Sequence, residues 1–293
     1  MRPRWIADRL ILQRPKLLSN SPSKMPISKP NSALLIVGHG STENPDSSTP
    51  TFQQAAEIRK RGRFGEVHCA FWKEEPGFRQ VDYMIESDEV FVVPNFISEG
   101  YFTREVIPRE FELEGATSQV HGKTWHYCDP VGIHPNMSRL LLKRAEEIAP
   151  DVPKEETALI IVGHGTKLNK KSTEAVRDQA NLLREQNHGY GEVLDAYMEE
   201  APFIAKWDEL TTAENVVVVP FFIADGLHSF QDIPVLLGIT DELPAAASQA
   251  TIFHENPIRL RNRNLYYSRA IGTDSSMADV IIDQVESYCE DHS

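Results

Sequence analysis

The sequence predicts an α/β protein of two tandem domains, each built on a parallel sheet covered on both faces. Three observations carry this expectation. First, residues 33–41 read ALLIVGHGS, and residues 158–166, 125 positions later, read ALIIVGHGT. The match continues through Gly65-Glu66-Val67 with Gly191-Glu192-Val193, Val90–Pro94 with Val216–Pro220, and Ile107-Pro108 with Ile233-Pro234. A period this long exceeds the roughly 20–50 residues of solenoid repeats and marks duplicated domains. Second, short apolar runs alternate with segments of helical period, the pattern of strands linked by crossover helices. Third, the runs Val90–Pro94 and Val216–Phe222 are continuous in apolar, largely β-branched residues, as strands buried on both faces should be.

The elements follow in chain order. The first 30 residues carry seven Lys or Arg against the single acid Asp8, with clustered Ser and Pro, and are set apart as a disordered basic leader. They read either as an organelle transit peptide or as an upstream extension preceding a true start at Met25. Residues 31–150 form the first domain and 151–293 the second. Each opens with an apolar strand, Ala33–Val37 or Ala158–Val162, that runs into Gly-His-Gly. A helix follows; in Thr173–Glu185, Ala175, Val176, Gln179, Leu182 and Leu183 share one face. A second strand, Glu66–Phe71 or Glu192–Met198, precedes the third. An amphipathic helix, Met137–Ile148 or Met277–Tyr288, closes each half.

Composition excludes several functions. The longest apolar run, Val216–Ala224, is far short of the ~20 residues a membrane span needs. The formal charge of −13, more negative still without the basic leader, disfavours nucleic acid as a partner. Cys69, Cys128 and Cys289 are scattered and contain no CxxC, which argues against a disulfide framework, an iron–sulfur cluster or a zinc ribbon. A reducing, cytoplasmic setting is expected, or an organelle if the leader is a transit peptide.

Chemistry concentrates at strand ends of the second half. In open parallel sheets, ligands bind beyond the carboxyl ends of the strands. His164 sits there between two glycines that permit a tight exit. A single such motif reads equally well as a turn with a histidine packed beneath a helix; its duplication favours function. His228, in Phe221-Phe222-Ile223-Ala224-Asp225-Gly226-Leu227-His228, follows the most apolar strand, and Glu199 follows Ala196-Tyr197-Met198. Two imidazoles and a carboxylate suit a borderline-soft divalent metal with open coordination positions. Imidazole also accepts a proton near neutrality. In the first half Phe102 stands where His228 would, and Lys73 stands where Glu199 would.

These motifs, GHGS/T after the first strand, the Ala-aromatic-x-Glu strand end and VVPFFIADGLHSFQDIP, resemble the class II chelatases of tetrapyrrole synthesis in their long, duplicated form. The resemblance covers about residues 33–290. It implies two flavodoxin-like domains, related by a pseudo-twofold axis and facing one another across a central cleft, in a monomeric pseudo-dimer. It implies a lyase that inserts Co2+, Fe2+ or Ni2+ into sirohydrochlorin or a related tetrapyrrole without ATP. His164, His228 and Glu199 then hold the metal, and one of the two histidines doubles as general base for the pyrrole N–H protons; the role is assigned to His164, although the sequence itself does not distinguish it from His228. A carrier that binds metal or tetrapyrrole without turnover is the competing expectation, motivated by the polar groups missing from the first half.

The substrate of that family carries eight carboxylates, so local cations and donors are expected around the cleft. Candidates are His39, Ser41 and Arg104 in the first half, with Thr166 and Lys167 after the second Gly-His-Gly. Arg259 and Arg261, with Arg263, fall on one face if their segment is extended. His134, in Gly132-Ile133-His134-Pro135, is expected to cap the helix that closes its half.

Overall fold

The computed structural model describes residues 27–42, 44, 47–166, 170–186, 188–241 and 252–293. Of the basic leader, residues 1–26 lie outside the described residues. Lys29 and Pro30 already belong to the first strand, which therefore starts just ahead of the expected boundary.

The first half runs β1 (Lys29–Gly38), α1 (Thr49–Arg61), β2 (Phe64–Phe71), α2 (Phe78–Val81), β3 (Glu89–Pro94), α3 (Ile107–Glu110), β4 (Thr117–Val120), β5 (Lys123–Tyr127) and α4 (Met137–Ile148). The second repeats it as β6 (Thr157–Gly163), α5 (Lys170–Arg184), β7 (Glu192–Tyr197), α6 (Trp207–Leu210), β8 (Asn215–Pro220), α7 (Ile233–Leu237), β9 (Ile258–Leu260), β10 (Arg263–Tyr267) and α8 (Met277–Asp291). The sheets have the orders β2-β1-β3-β5-β4 and β7-β6-β8-β10-β9. Local chemistry explains the boundaries. Helix α1 starts with Pro50 in its first turn and stops at Gly62, whose φ of 61° is left-handed. Strands β3 and β8 end at Pro94 and Pro220, which lack the N–H needed to extend a ladder.

Four strands in each sheet are parallel, as expected, but the edge strands β4 and β9 pair antiparallel with β5 and β10. The sequence reading missed these hairpins because their strands are short and polar. Both turn through two residues of positive φ, His121-Gly122 and Arg261-Asn262, the backbone of a tight hairpin. This overturns the expectation that Arg259, Arg261 and Arg263 share an extended face: the chain reverses between them. Strand β10 is parallel to β8 and begins beside Asn215, so the hairpin turn lies at the amino edge of the sheet, opposite the strand ends that carry His164.

The closing helices cross over. Helix α4 lies against β8 and α5 of the second half, and α8 lies against β3 and α1 of the first. Tyr288 of α8 donates its hydroxyl to the Ala116 carbonyl (2.9 Å), and Gln284 donates to that of Pro130 (2.8 Å). In return Lys143 of α4 reaches Asp274 (2.7 Å) and Ser276 (2.9 Å). One continuous core therefore contains Leu34 and Ile36 of β1, Leu140 and Leu141 of α4, Leu159 and Ile161 of β6, and Ile281 and Val285 of α8. The outward faces of the two sheets have separate cores around Trp125 and Trp207. A boundary near residue 150 thus divides the sequence repeat, not the packing. Among the described residues, no helix is long and apolar enough to cross a membrane.

Candidate metal-handling site

Three parallel strands deliver the site. His164 follows β6, Glu199 follows β7 by two residues, and His228 lies past β8, so all three emerge at one sheet edge. Gly165 adopts φ +67°, and a Cβ there would stand 2.5 Å from Tyr197 Cβ; only glycine lets the chain leave the strand so close to β7. The His164 carbonyl accepts the backbone N–H groups of Met198 (3.0 Å) and Glu199 (3.1 Å). Those bonds hold the two loops together and bring Glu199 Oε1 to 3.2 Å from His164 Nε2.

His228 opens a π-helical turn, His228–Asp232, a feature frequent at functional sites. Its ring centroid is 4.9 Å from that of His164. Nδ1–H of His228 donates to Asp232 Oδ2 at 2.6 Å, which fixes the tautomer and leaves Nε2 as the free lone pair. The turn is held from beneath by Tyr267, whose hydroxyl donates to the Ser229 carbonyl (2.8 Å). Asp225, almost fully buried, accepts from the Ala270 N–H (2.7 Å) and Arg269 Nε (2.8 Å) and anchors the loop leading to His228. Burial, reinforced by the neighbouring His228, lowers the pKa of His164 below the ordinary imidazole value despite Glu199 and Asp232. The shift favours the uncharged imidazole, the form that can bind a metal.

Pairwise proximity is not yet a closed metal site. Among the described residues, no three His, Cys, Asp or Glu side chains are grouped to hold an ion as they stand. His164 and Glu199 are together, His228 stands beside them, and Asp232 backs His228.

The first half keeps the scaffold and changes the groups. His39 follows β1, and its carbonyl accepts the N–H of Lys73 (2.9 Å), as that of His164 accepts Glu199. Phe102 opens a matching π-helical turn, Phe102–Val106, and meets the His39 ring edge-on at 4.6 Å. Tyr127 holds this turn through the Thr103 carbonyl (2.6 Å), as Tyr267 does in the second half. A cavity of about 480 Å3 lies between the halves, lined by His39, Ser41, Asn95 and Phe96 from one side and by Ile223 and His228 from the other. His39 thus faces the space that His228 faces.

The remaining candidates divide. Ser41 lines the cavity, and its hydroxyl accepts the Asn44 N–H (3.1 Å). Thr166 is half-buried just past His164. Arg104 lies in the π-helical turn of the first half, paired with Glu99 at 2.5 Å. Lys167 lies outside the described residues. Arg259 and Arg261 are withdrawn from the site: at the far sheet edge they pair with Glu214 (3.8 Å) and Asp208 respectively, and Arg261 stacks over Trp207. His134 does not cap its helix through its side chain. Asn136 occupies that position, and the buried His134 ring accepts its N–H (3.2 Å).

Sequence reasoning missed four groups. Asp232 was detectable as an acid four residues past His228. Tyr267 carried no local signal. Glu74 and Glu200 recur at the repeat offset; Glu74 accepts the Ser41 N–H (2.6 Å) in the loop after the first Gly-His-Gly, and Glu200 accepts the Thr173 hydroxyl in the first turn of α5.

The CbiX family model matches residues 33–148 and again residues 158–288. The chain is 40% identical to a protein of Halobacterium salinarum named a probable sirohydrochlorin cobaltochelatase, over 270 residues covering 86% of this chain and 90% of that one. Among solved structures, a multi-domain protein of Deinococcus radiodurans, described as similar in structure to chelatases and bearing two additional novel domains, matches with a TM-score of 0.71 at 26% identity. That match covers 86% of this chain and 54% of the Deinococcus protein. SirB of Bacillus subtilis, solved with Fe3+, shares the fold with a TM-score of 0.67 at 19% identity, over 89% and 97% of the two chains.

Proposed function

The chain belongs to the CbiX family, and on that premise we propose that it inserts a divalent metal into sirohydrochlorin or a related tetrapyrrole without ATP. The name of the Halobacterium relative favours Co2+ as the metal; Fe2+ and Ni2+ are the comparison ions. The ion is a substrate that must arrive and leave, which suits a site that gathers donors without closing around them. One observation carries the reading: Glu199 Oε1 and His164 Nε2 lie 3.2 Å apart. Adjacent donors on one ion, with bonds of ~2.0–2.2 Å, are separated by roughly 3.0–3.5 Å. His228, its lone pair oriented by Asp232, stands beside them as the third donor.

Insertion exchanges one M2+ for the two pyrrole N–H protons of the macrocycle. His164, placed beside the metal donors, is the group assigned to accept one proton, as an imidazole can near neutrality. Solvent takes the other. The two halves enclose the macrocycle between their strand ends, with the second half presenting the metal.

The test follows the visible absorption of sirohydrochlorin with Co2+ and catalytic protein, wild type or His228→Ala. Multiple turnovers by wild type, lost in His228→Ala, are expected. A spectral change that stops at one equivalent would instead favour the carrier reading, and equal rates with and without protein would overturn both.

A further inference from the structure

The first half departs from the second at three matched positions, and the departures form a pattern. Where the second half has Met198, Glu199 and His228, the first has Trp72, Lys73 and Phe102. The backbone is the same in each case: Lys73 is held by the His39 carbonyl as Glu199 is by that of His164, and Phe102 opens the π-helical turn that His228 opens in the other half. Groups suited to a cation have become two aromatic rings and an ammonium.

These residues lie at the surface. Trp72 is 40% exposed, Tyr101 is 65% exposed and Phe102 is half-buried. Phe102 joins them: its ring meets Trp72 at 6.0 Å and Tyr101 at 6.0 Å, and stacks on Phe96 within 18° of parallel. His39 and Phe96, both in contact with Phe102, line the cavity shared with His228. A contiguous aromatic patch of this kind is uncommon on a soluble surface unless something covers it. Lys73 is exposed beside the patch and, among the described residues, has no ionic partner. Lys73 thus places a cation at the position, relative to His39, that Glu199 holds relative to His164.

We propose that this converted site is the docking face for the metal-free macrocycle: Phe102 and Trp72 receive its flat conjugated surface, and Lys73 takes one of its carboxylate arms. The assignment rests on the chelatase reading and deepens it, because it divides the labour between halves. The second half presents the ion, and the first half presents the ring. A flat π-system with an acidic rim matches an aromatic surface with an adjacent ammonium in both shape and charge.

The test measures the dissociation constant of metal-free sirohydrochlorin by titration against the full chain, with no metal present, for wild type, Phe102→Leu, Trp72→Leu, Lys73→Gln and His228→Ala. Phe102→Leu and Trp72→Leu keep apolar volume and remove the ring; each is expected to weaken binding by about 5–10-fold. Lys73→Gln is expected to weaken it about 3–10-fold, with Lys73→Arg restoring affinity. His228→Ala is expected to leave the constant within about 3-fold while abolishing Co2+ insertion. Co2+ binding measured without macrocycle should be unchanged in the three first-half variants. Unaltered macrocycle affinity in Trp72→Leu and Lys73→Gln, both at exposed positions, would overturn the proposal while leaving the chelatase reading intact. Failure of wild type to bind sirohydrochlorin would overturn both.

Discussion

His228 and Asp232 form a 2.6 Å imidazole–carboxylate hydrogen bond within a single π-helical turn. The bond spans four residues of one element, so it depends on local backbone geometry and needs no distant partner. It also has no counterpart in the first half, where Phe102 and Val106 occupy the matched positions.

Asp232→Asn keeps the shape of that contact and removes its charge. The imidazole then loses the carboxylate that selects its tautomer and orients its ring. Co2+ insertion is expected to fall by about 10–100-fold in kcat, with the KM for the macrocycle changed much less. Steady-state kinetics separate the two parameters, and an unchanged kcat would remove Asp232 from the site.

Gly272 presses against the loop that carries His228. Its N–H donates to the Phe222 carbonyl at 2.9 Å, and a Cβ at this position would stand 2.0 Å from the Ile223 carbonyl oxygen. Gly272→Ala must push Ile223, a wall of the cavity, out of place. A loss of about 1–3 kcal/mol is expected in denaturant unfolding, together with impaired turnover. Gly132→Ala meets Ile97 in the same way and should cost similar stability.

His134 makes acid stability a measurable signature of the interface. Burial depresses its pKa from 6.5 to about 4. Between those values the unfolded chain takes up a proton that the folded chain refuses, so unfolding becomes easier as pH falls through that window. The contribution lost is about 3 kcal/mol at most, complete near pH 4. His134→Gln still offers an acceptor to Asn136 and cannot titrate. Its unfolding free energy should fall less steeply between pH 6.5 and 4, as followed by urea titrations at several pH values.

Neither repeat should fold alone. Residues 27–150 lack α8, which covers β3, and residues 151–293 lack α4, which covers β8. Each fragment expressed separately is expected to show little cooperative thermal unfolding, whereas an equimolar mixture should recover a single transition. Circular dichroism on the fragments and the mixture checks this; independent cooperative melting of either half would contradict the packing described.

The sequence was most readable where burial is complete on both sides. Val90–Pro94 and Val216–Pro220 are fully apolar because no face of them meets water, and their assignment as central strands followed directly. The hairpins resisted because an edge strand such as β4, with burial alternating along TSQV, carries too few apolar residues to stand out. The crossover of α4 and α8 was invisible for a different reason: an amphipathic helix declares that it has a buried face but not which sheet the face meets. Gly-His-Gly, Glu199 and His228 were legible because strand ends and chemistry coincide there. Arg259 and Arg261 were misjudged because an extended run and a two-residue hairpin turn share the same alternation until backbone φ is known. The pairing of Asp232 with His228 was not legible because an acid four residues past a histidine meets it only once the turn between them is helical.

The exchange of closing helices has a consequence in time. Synthesis proceeds from the amino end, yet the inner face of β3 packs against residues 277–291. A nascent first half therefore leaves the ribosome with the inner face of its sheet covered by α1 but not by α8, and must wait, through the translation of the second half, for that helix to arrive. For that interval the chain depends on its own loose collapse, or on a chaperone, to keep an apolar surface from finding a neighbouring chain.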